Sequence, residues 1–410
     1  MGLTLANIKK TAQRGDYKEA EKLLVKFLGE LFSLDIATVE IRRDSLSLNS
    51  VNGFVKLKDG KILFFKFHQE ENEEALTEYY NSMLLFENGY PVEMPLYISK
   101  EVGKQVLLYP LKTAERMADI CKKFDFGGDA KKVIEAQQEL DKLSAEKYIA
   151  TLHEATPKEL RAEPILQLFY NRLVNGGRYK QFYEGKDCEL PGGTINFEEL
   201  KKLKWRINGL DYNQSLENAF AESFKVLSPE AHGNYQAVIA HGDAHNGNVW
   251  FNDDGHLSLF DPAFAGRNIP ALLAEIKATF HNIFAHPLWL YDSKEAKFDI
   301  GCKIGDVVDV IYDWRLSPLR EAFLASKIEN LWAPLLKKLE LPENWQEYMR
   351  LALFCCPTLV MNLRANAGSE QNSHTPKTSL LGFAIAIMLS SPPANGKDMV
   401  SEFFAKIKPK

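Results

Sequence analysis

The stretch that decides the reading is residues 241–261, HGDAHNGNVWFNDDGHLSLFD. Its runs NVWFND and HLSLFD flank Asp254-Gly255, a dipeptide that favours a two-residue type I′ hairpin turn. With those two residues as the turn, Asp253 faces His256, Trp250 faces Leu259 and Asn248 faces Asp261. Cβ atoms of residues directly opposite each other lie ~4.5–5.5 Å apart. An amide oxygen and a carboxylate so placed can share a small oxygen-loving cation at ~2.0–2.1 Å, and Mg²⁺ suits them better than Zn²⁺. The preceding turn, HGDAHNG, brings Asp243 to the same end of the ribbon, beside the cation site and outside it. A base that orients an attacking hydroxyl belongs in that position.

A second ribbon tests the first. Residues 50–68, SVNGFVKLKDGKILFFKFH, hold another Asp-Gly turn, Asp59-Gly60, between alternating strands. Counting outward, Lys58 faces Lys61 and Gly53 faces Lys66, so a Gly-bearing loop, SLSLNSVNG, lies beside a lysine set between Phe65 and Phe67. An ammonium among aromatic rings needs an anionic partner, and a nucleotide phosphate together with a helix carboxylate would supply it.

At 410 residues with a net charge of −5, the chain is long enough for two to three lobes of ~150 residues each. It lacks the basic excess of a general nucleic-acid or membrane-surface binder, so neither partner is expected. The five Cys (121, 188, 302, 355, 356) have no disulfide or zinc spacing. The N-terminal 32 residues form an amphipathic, charged helical pattern without a secretory core, and a cytoplasmic location is the expectation. LLGFAIAIML (380–389) is about half a membrane span and reads as a buried helix. A strand-rich stretch of roughly 70 residues follows the N-terminal helix, and the rest reads as nearly unbroken helix apart from the first ribbon.

HGDAHNGN resembles the catalytic loop of the aminoglycoside phosphotransferase and choline kinase-like group, written His-Gly-Asp, four residues, Asn. The resemblance spans most of residues 35–280. It implies an α+β, protein kinase-like two-lobe fold with a small β-rich N-lobe and a large, mostly helical C-lobe. The expected organisation is a helical extension (1–34), a nucleotide-covering N-lobe (35–112) and a C-lobe with catalytic loop and acceptor site (113–410). By the resemblance Asp243 is the catalytic base, Asn248 and Asp261 are the Mg²⁺ ligands, and His241 braces the loop. Lys66 matches the phosphate-binding lysine of the third strand. Glu78 is its expected helix partner, with Glu74 one turn earlier as the alternative. Gly53 belongs to the nucleotide-covering loop. Leu108, Tyr109 and Leu111, in KQVLLYPLK (104–112), fall at the last strand and hinge, where backbone groups would bind the adenine edge. The implied cofactors are ATP and Mg²⁺, and the implied acceptor is a hydroxyl of a small molecule.

Each feature also has a plainer reading. Lys66 can be a strand-edge lysine reaching water, and Glu78 can belong to a solvated helix face. His245 reads as a loop-packing residue and His153 as a core hydrogen bonder. The aromatic run TFHNIFAHPLWLY (279–291) reads as core before acceptor pocket. Pro262 follows Asp261 where protein kinases carry Phe, and GRNIPALLAE (266–275) stands where many relatives carry Asp-Leu-Ala. No Gly-x-x-x-x-Gly-Lys-Ser/Thr occurs, against a P-loop kinase. Two other functions compete: a non-catalytic nucleotide-binding pseudokinase, which the intact Lys66, Asp243, Asn248 and Asp261 argue against, and a metallophosphoesterase, suggested by GDAH but lacking that family's flanking blocks.

Overall fold

Strand Ile62–His68 alternates Leu63, Phe65 and Phe67, all buried, with Phe64 and Lys66 on the other face, as a period-2 strand covered on one side requires. The computed structural model describes residues 5–42, 50–68, 74–231, 233–367 and 373–409. The protein is α+β and divides into two compact units, residues 1–114 with 260–263, and residues 115–259 with 264–410.

The first unit is built on a five-stranded sheet in the order β1-β2-β3-β5-β4, with β1 Ile36–Ile41, β2 Ser50–Leu57, β3 Ile62–His68, β4 Tyr97–Ser99 and β5 Val106–Pro110. Two helices, α1 (Leu5–Gln13) and α2 (Tyr17–Phe32), cover its apolar face, and the Asp16 side chain caps α2 by accepting from the Glu19 N–H at 3.3 Å. Ile8, Leu24, Phe27 and Leu28 join Val55, Leu63, Phe65 and Leu108 in one core. The N-terminal segment is thus two helices built into the core of this unit, where a single helix was expected.

The register of the β2–β3 hairpin corrects the expectation. Asn52 pairs with Lys66, and Gly53 pairs with Phe65. The loop has three residues, Lys58 to Gly60: the Leu57 N–H donates to Lys61 O at 2.8 Å and the Gly60 N–H to Leu57 O at 3.0 Å, with Gly60 at φ 92°. A type I turn closed by a left-handed glycine adds one residue to the loop and moves every pair by one. Gly53 is required by the sheet itself, since a Cβ there would lie 1.9 Å from Glu40 O on β1. Of the covering loop, residues 45–49 fall outside the described residues.

The second unit carries strand Tyr235–Ala240 between His153–Ala155 and Gly266–Pro270, and this strand feeds directly into the 241–248 loop. Strands Val249–Phe251 and Leu257–Leu259 form the next hairpin, which repeats the correction. Val249 pairs with Leu259 and Trp250 with Ser258, because Gly255 at φ 85° closes a three-residue loop after Asn252. The ladder ends at Val249–Leu259, so the expected Asn248–Asp261 pair is not part of it.

This unit also departs from the nearly all-helical expectation. Lys204–Ile207, Leu210–Tyr212, Ile300–Ile304 and Val307–Tyr312 form a four-stranded sheet, and Asp187–Leu190 with Gly193–Asn196 a hairpin. Helix Pro376–Ser390, which holds LLGFAIAIML, is buried on all sides from Thr378 to Ser390 and packs against helix Trp345–Val360. Among the described residues no helix is long and apolar enough to cross a membrane.

Candidate active site

In the first unit Lys66 stands on the sheet face away from α1 and α2. Its Nζ lies 2.8 Å from Glu78 Oε2 and 3.1 Å from Asp261 Oδ1. Helix α3 (Glu74–Glu87) supplies Glu78, which is buried and takes a second hydrogen bond from the Tyr109 hydroxyl at 2.9 Å. Burial alone would lower the Lys66 pKa, but the charges of Glu78 and Asp261 outweigh it and hold the ammonium above the usual lysine range. Burial first, and Glu78 second, push the Tyr109 hydroxyl well above its ordinary value, so it remains a donor.

Of the two carboxylates considered for Lys66, Glu78 is the one that pairs with it; the side chain of Glu74 is outside the described residues. Asp261 has φ 55°, a left-handed conformation uncommon outside glycine, and the next carbonyl, Pro262 O, accepts from Asn81 Nδ2 at 2.9 Å. The Asp261 side chain is 44 % exposed and so combines an anchor on Lys66 with an open oxygen face. On β5, Leu108 is fully buried in the sheet and its carbonyl accepts from the Leu96 N–H at 2.7 Å; Leu111 lies beyond the strand and is exposed.

In the second unit the 241–248 loop folds on itself. Gly242 has φ 75°, and a Cβ there would lie 2.4 Å from Phe264 O, so only glycine fits between His241 and Asp243. His241, buried, accepts the Asp243 N–H on Nδ1 at 3.3 Å. The Asp243 carbonyl accepts the His245 N–H at 2.8 Å and Asn248 Nδ2 at 3.0 Å. His245 uses Nδ1 to accept the Gly247 N–H at 3.1 Å and turns Nε2 toward Asp243 Oδ2 at 3.8 Å. His153 bonds Thr151 O at 2.8 Å and Asn268 Oδ1 at 3.1 Å.

Several supporting residues were not singled out from sequence. Asn282 Oδ1 accepts the Asn246 N–H at 2.7 Å, and its carbonyl accepts Arg320 Nη1 at 2.7 Å. Arg320, fully buried, clamps Asp125 through Nε at 2.7 Å and Nη2 at 2.8 Å. The loop is therefore tied to a bidentate buried ion pair. The aromatic run is core at Phe280, Ile283, Phe284 and Trp289, while the polar residues within it, His281 and Asn282, face the loop's surroundings.

Lys277 was also missed. It is buried, with Nζ 3.6 Å from Asp243 Oδ1 and 2.8 Å from His281 Nε2. Lys277 and His281 meet because residues four apart share a helix face. Burial lowers the pKa of Lys277 and takes that of His281 well below the usual histidine value.

Glu275, in the segment lacking the Asp-Leu-Ala pattern, has a structural place. It accepts from Tyr148 OH at 2.6 Å and pairs with Lys327 at 2.7 Å, and Lys327 pairs in turn with Asp141 at 2.7 Å.

Among the described residues no group of three or more His, Cys, Asp or Glu could hold a metal ion. In the second unit Asn248 keeps its amide oxygen, and in the first unit Asp261 has a half-exposed carboxylate; each is an oxygen donor of the type that hard cations take.

No protein-family model matches the chain, and neither does any curated protein. Among solved structures it is similar to a spectinomycin phosphotransferase in complex with ADP and spectinomycin, at 14% identity, TM-score 0.45, covering 94% of this chain and 98% of that one. It is similar to a macrolide 2′-phosphotransferase from Brachybacterium faecium at 14% identity, TM-score 0.42, covering 92% and 100%. It is also similar to choline kinase from Streptococcus pneumoniae at 13% identity, TM-score 0.43, covering 90% and 98%. These neighbours fall in the aminoglycoside phosphotransferase and choline kinase-like group that the sequence resembles.

Proposed function

We propose that the protein is a small-molecule kinase that moves the γ-phosphoryl group of ATP to a hydroxyl. The observation that carries this reading is Lys66, held between Glu78 and Asp261 by two ion pairs although Asp261 lies 195 residues away in sequence. An ammonium oriented by one buried carboxylate and one half-exposed carboxylate is suited to a nucleotide phosphate and its cation. Lys66 is assigned the phosphate contact, Glu78 its orientation, and Asp261 and Asn248 the Mg²⁺. When bound, Mg²⁺ would neutralise charge on the phosphates.

Asp243 is assigned the acceptor proton. Its loop is fixed through His241, His245, Asn248 and Asn246, while Oδ1 is buried without a hydrogen-bond partner. Oδ1 faces Lys277 at 3.6 Å, and a carboxylate held by its backbone with no short hydrogen bond on that oxygen is suited to accept from a hydroxyl. Leu111, the exposed residue after β5, is assigned to the hinge.

Calorimetric titration with ATP and GTP, each with and without Mg²⁺, tests the reading. Mg²⁺-dependent binding of one nucleotide, lost in Lys66→Ala, is expected. Absence of binding by both nucleotides would overturn it. Binding without phosphoryl transfer to any compound of a cell extract would favour the non-catalytic alternative.

A further inference from the structure

One short helical segment grips the 241–248 loop at two points. The turn Ile276–Thr279 widens into a π-turn at Phe280–Phe284, and widened turns of this kind are frequent at functional sites. From it Asn282 Oδ1 accepts the Asn246 N–H at 2.7 Å, which fixes the backbone of the loop. From it also Lys277, 3 % exposed, brings Nζ to 3.6 Å from Asp243 Oδ1. Among the described residues Asp243 is the only carboxylate in ion-pair reach of this ammonium. Lys277 is itself held: His281, one turn further along the same face, accepts its proton on Nε2 at 2.8 Å and turns its other ring nitrogen to the Tyr291 hydroxyl. Burial keeps His281 uncharged, so Nε2 stays an acceptor.

The Asp243 carboxylate is thus flanked on both oxygens. Lys277 faces Oδ1 at 3.6 Å, and His245 Nε2 faces Oδ2 at 3.8 Å. His245 accepts the Gly247 N–H on Nδ1, so its proton sits on Nε2, toward the carboxylate. Both contacts are longer than a hydrogen bond. Coulomb attraction falls only with the first power of distance, so the ammonium keeps about three quarters of the pull it would have at hydrogen-bond length, while the lone pairs stay unclaimed. A base needs both properties, a fixed plane and a free lone pair.

We infer that Lys277, seated on His281, is the positioning residue of Asp243: it fixes the plane of the carboxylate without occupying the lone pair that receives the acceptor proton. The inference rests on the kinase reading and adds a residue to its machinery. In the step served, the acceptor O–H bond breaks and its proton goes to Asp243, the freed oxygen bonds the γ-phosphorus, and ADP leaves with the electrons of the broken P–O bond. A purely structural ion pair would instead affect folding stability with no selective effect on transfer.

The test compares the full chain with Lys277→Met, Asp243→Asn and the double variant. MgATP affinity is read by calorimetry, and phosphoryl transfer by mass spectrometry after incubation with MgATP and a cell metabolite extract. Lys277→Met should bind MgATP within about twofold of the original protein and transfer at least about tenfold more slowly. In the Asp243→Asn background the same substitution should change transfer by less than about twofold, because a residue that acts through Asp243 then has nothing to act on. Full transfer in Lys277→Met, or a loss of the same size in the Asp243→Asn background, overturns the inference and leaves the kinase reading standing.

A second pair of variants decides the matter if Lys277→Met fails to fold. His281→Gln keeps an acceptor at the reach of Nε2, and His281→Leu removes it. Transfer at least about threefold higher in His281→Gln than in His281→Leu, at equal MgATP affinity, is expected; equal transfer in the two overturns the seating of Lys277 and the inference with it. An original protein that transfers to no compound overturns the kinase reading itself, and the role of Lys277 falls with it.

Discussion

Lys66 Nζ and Glu78 Oε2 lie 2.8 Å apart, both well shielded from solvent, and Glu78 is held from its other side by the Tyr109 hydroxyl. The pair is oriented from sheet and helix at once, so the ammonium is placed before any ligand arrives. Lys66→Ala should therefore lower both nucleotide affinity and turnover, because the proposed phosphate contact would be lost in ground and transition states alike. Glu78→Gln keeps the shape and removes the charge, and an affinity loss of about tenfold is expected by calorimetry. Nucleotide affinities equal to that of the unmodified protein in both variants would make Lys66 a purely structural ion-pair partner.

Asp243 and Asp261 should separate in their effects. Asp261→Asn replaces the proposed anionic oxygen ligand by a neutral one and weakens the contact to Lys66, so Mg²⁺-nucleotide affinity should fall. Asp243→Asn leaves the backbone contacts of the loop to His241, His245 and Asn248 in place, so nucleotide binding should persist. Phosphoryl transfer should drop by roughly 10²–10⁴, the usual worth of a positioned base. MgATP affinity and single-turnover transfer, measured on both variants, give the answer; lost nucleotide binding in Asp243→Asn with full activity in Asp261→Asn would reverse the assigned roles.

The buried chain Tyr148–Glu275–Lys327–Asp141 should be a stability element independent of chemistry. Lys327, Glu275 and Asp141 are all nearly inaccessible, and the two carboxylates share one ammonium. Lys327→Met leaves both carboxylates unpaired in the interior, and a loss on the order of 3–5 kcal/mol is expected. Asp141→Asn removes one of the two negative charges and should cost less, since Lys327 keeps Glu275. Urea unfolding monitored by tryptophan fluorescence measures both, and a smaller loss in Lys327→Met than in Asp141→Asn would contradict the network.

How much of this was legible beforehand follows from which contacts are local. Lys66 sits in a strand that the alternation marks, Ile62–His68, and Glu78 in a helix, Glu74–Glu87, that ends just before Asn88-Gly89, a common helix-stop pair. The hairpin registers were misread by one residue because Asp-Gly supports both a two-residue I′ turn and a three-residue loop closed by a left-handed glycine, and both ribbons use the second. A two-residue turn with both residues at positive φ does occur, at Asn208-Gly209 with Ile207 opposite Leu210, in a stretch read as helical. Lys277 left no readable mark. A lysine inside an apolar helix gives no hint that its partner is Asp243, because that contact is made only by the tertiary fold.

Acid should destabilise the second unit from the top of the histidine range, and His374 allows the sign to be worked out. It is 1 % exposed, its Nδ1 contacts Thr378 Oγ1 at 3.1 Å, and its Nε2 is buried without a hydrogen-bond partner. Burial alone lowers its pKa from 6.5 to about 4. Between those values the unfolded chain binds a proton that the folded protein refuses, so stability rises with pH across the window. The contribution is fully present above pH 6.5, falls as pH drops toward 4, and is gone below it; its size is on the order of 3 kcal/mol. His281 and His286, also buried and depressed by burial first, add to the same trend. His374→Gln removes the titrating group, so the difference in unfolding free energy between the original protein and the variant should change by about 3 kcal/mol from pH 7 to pH 4, in the variant's favour at acid pH. Parallel pH profiles over that range would show that His374 is protonated in the folded protein at its ordinary value.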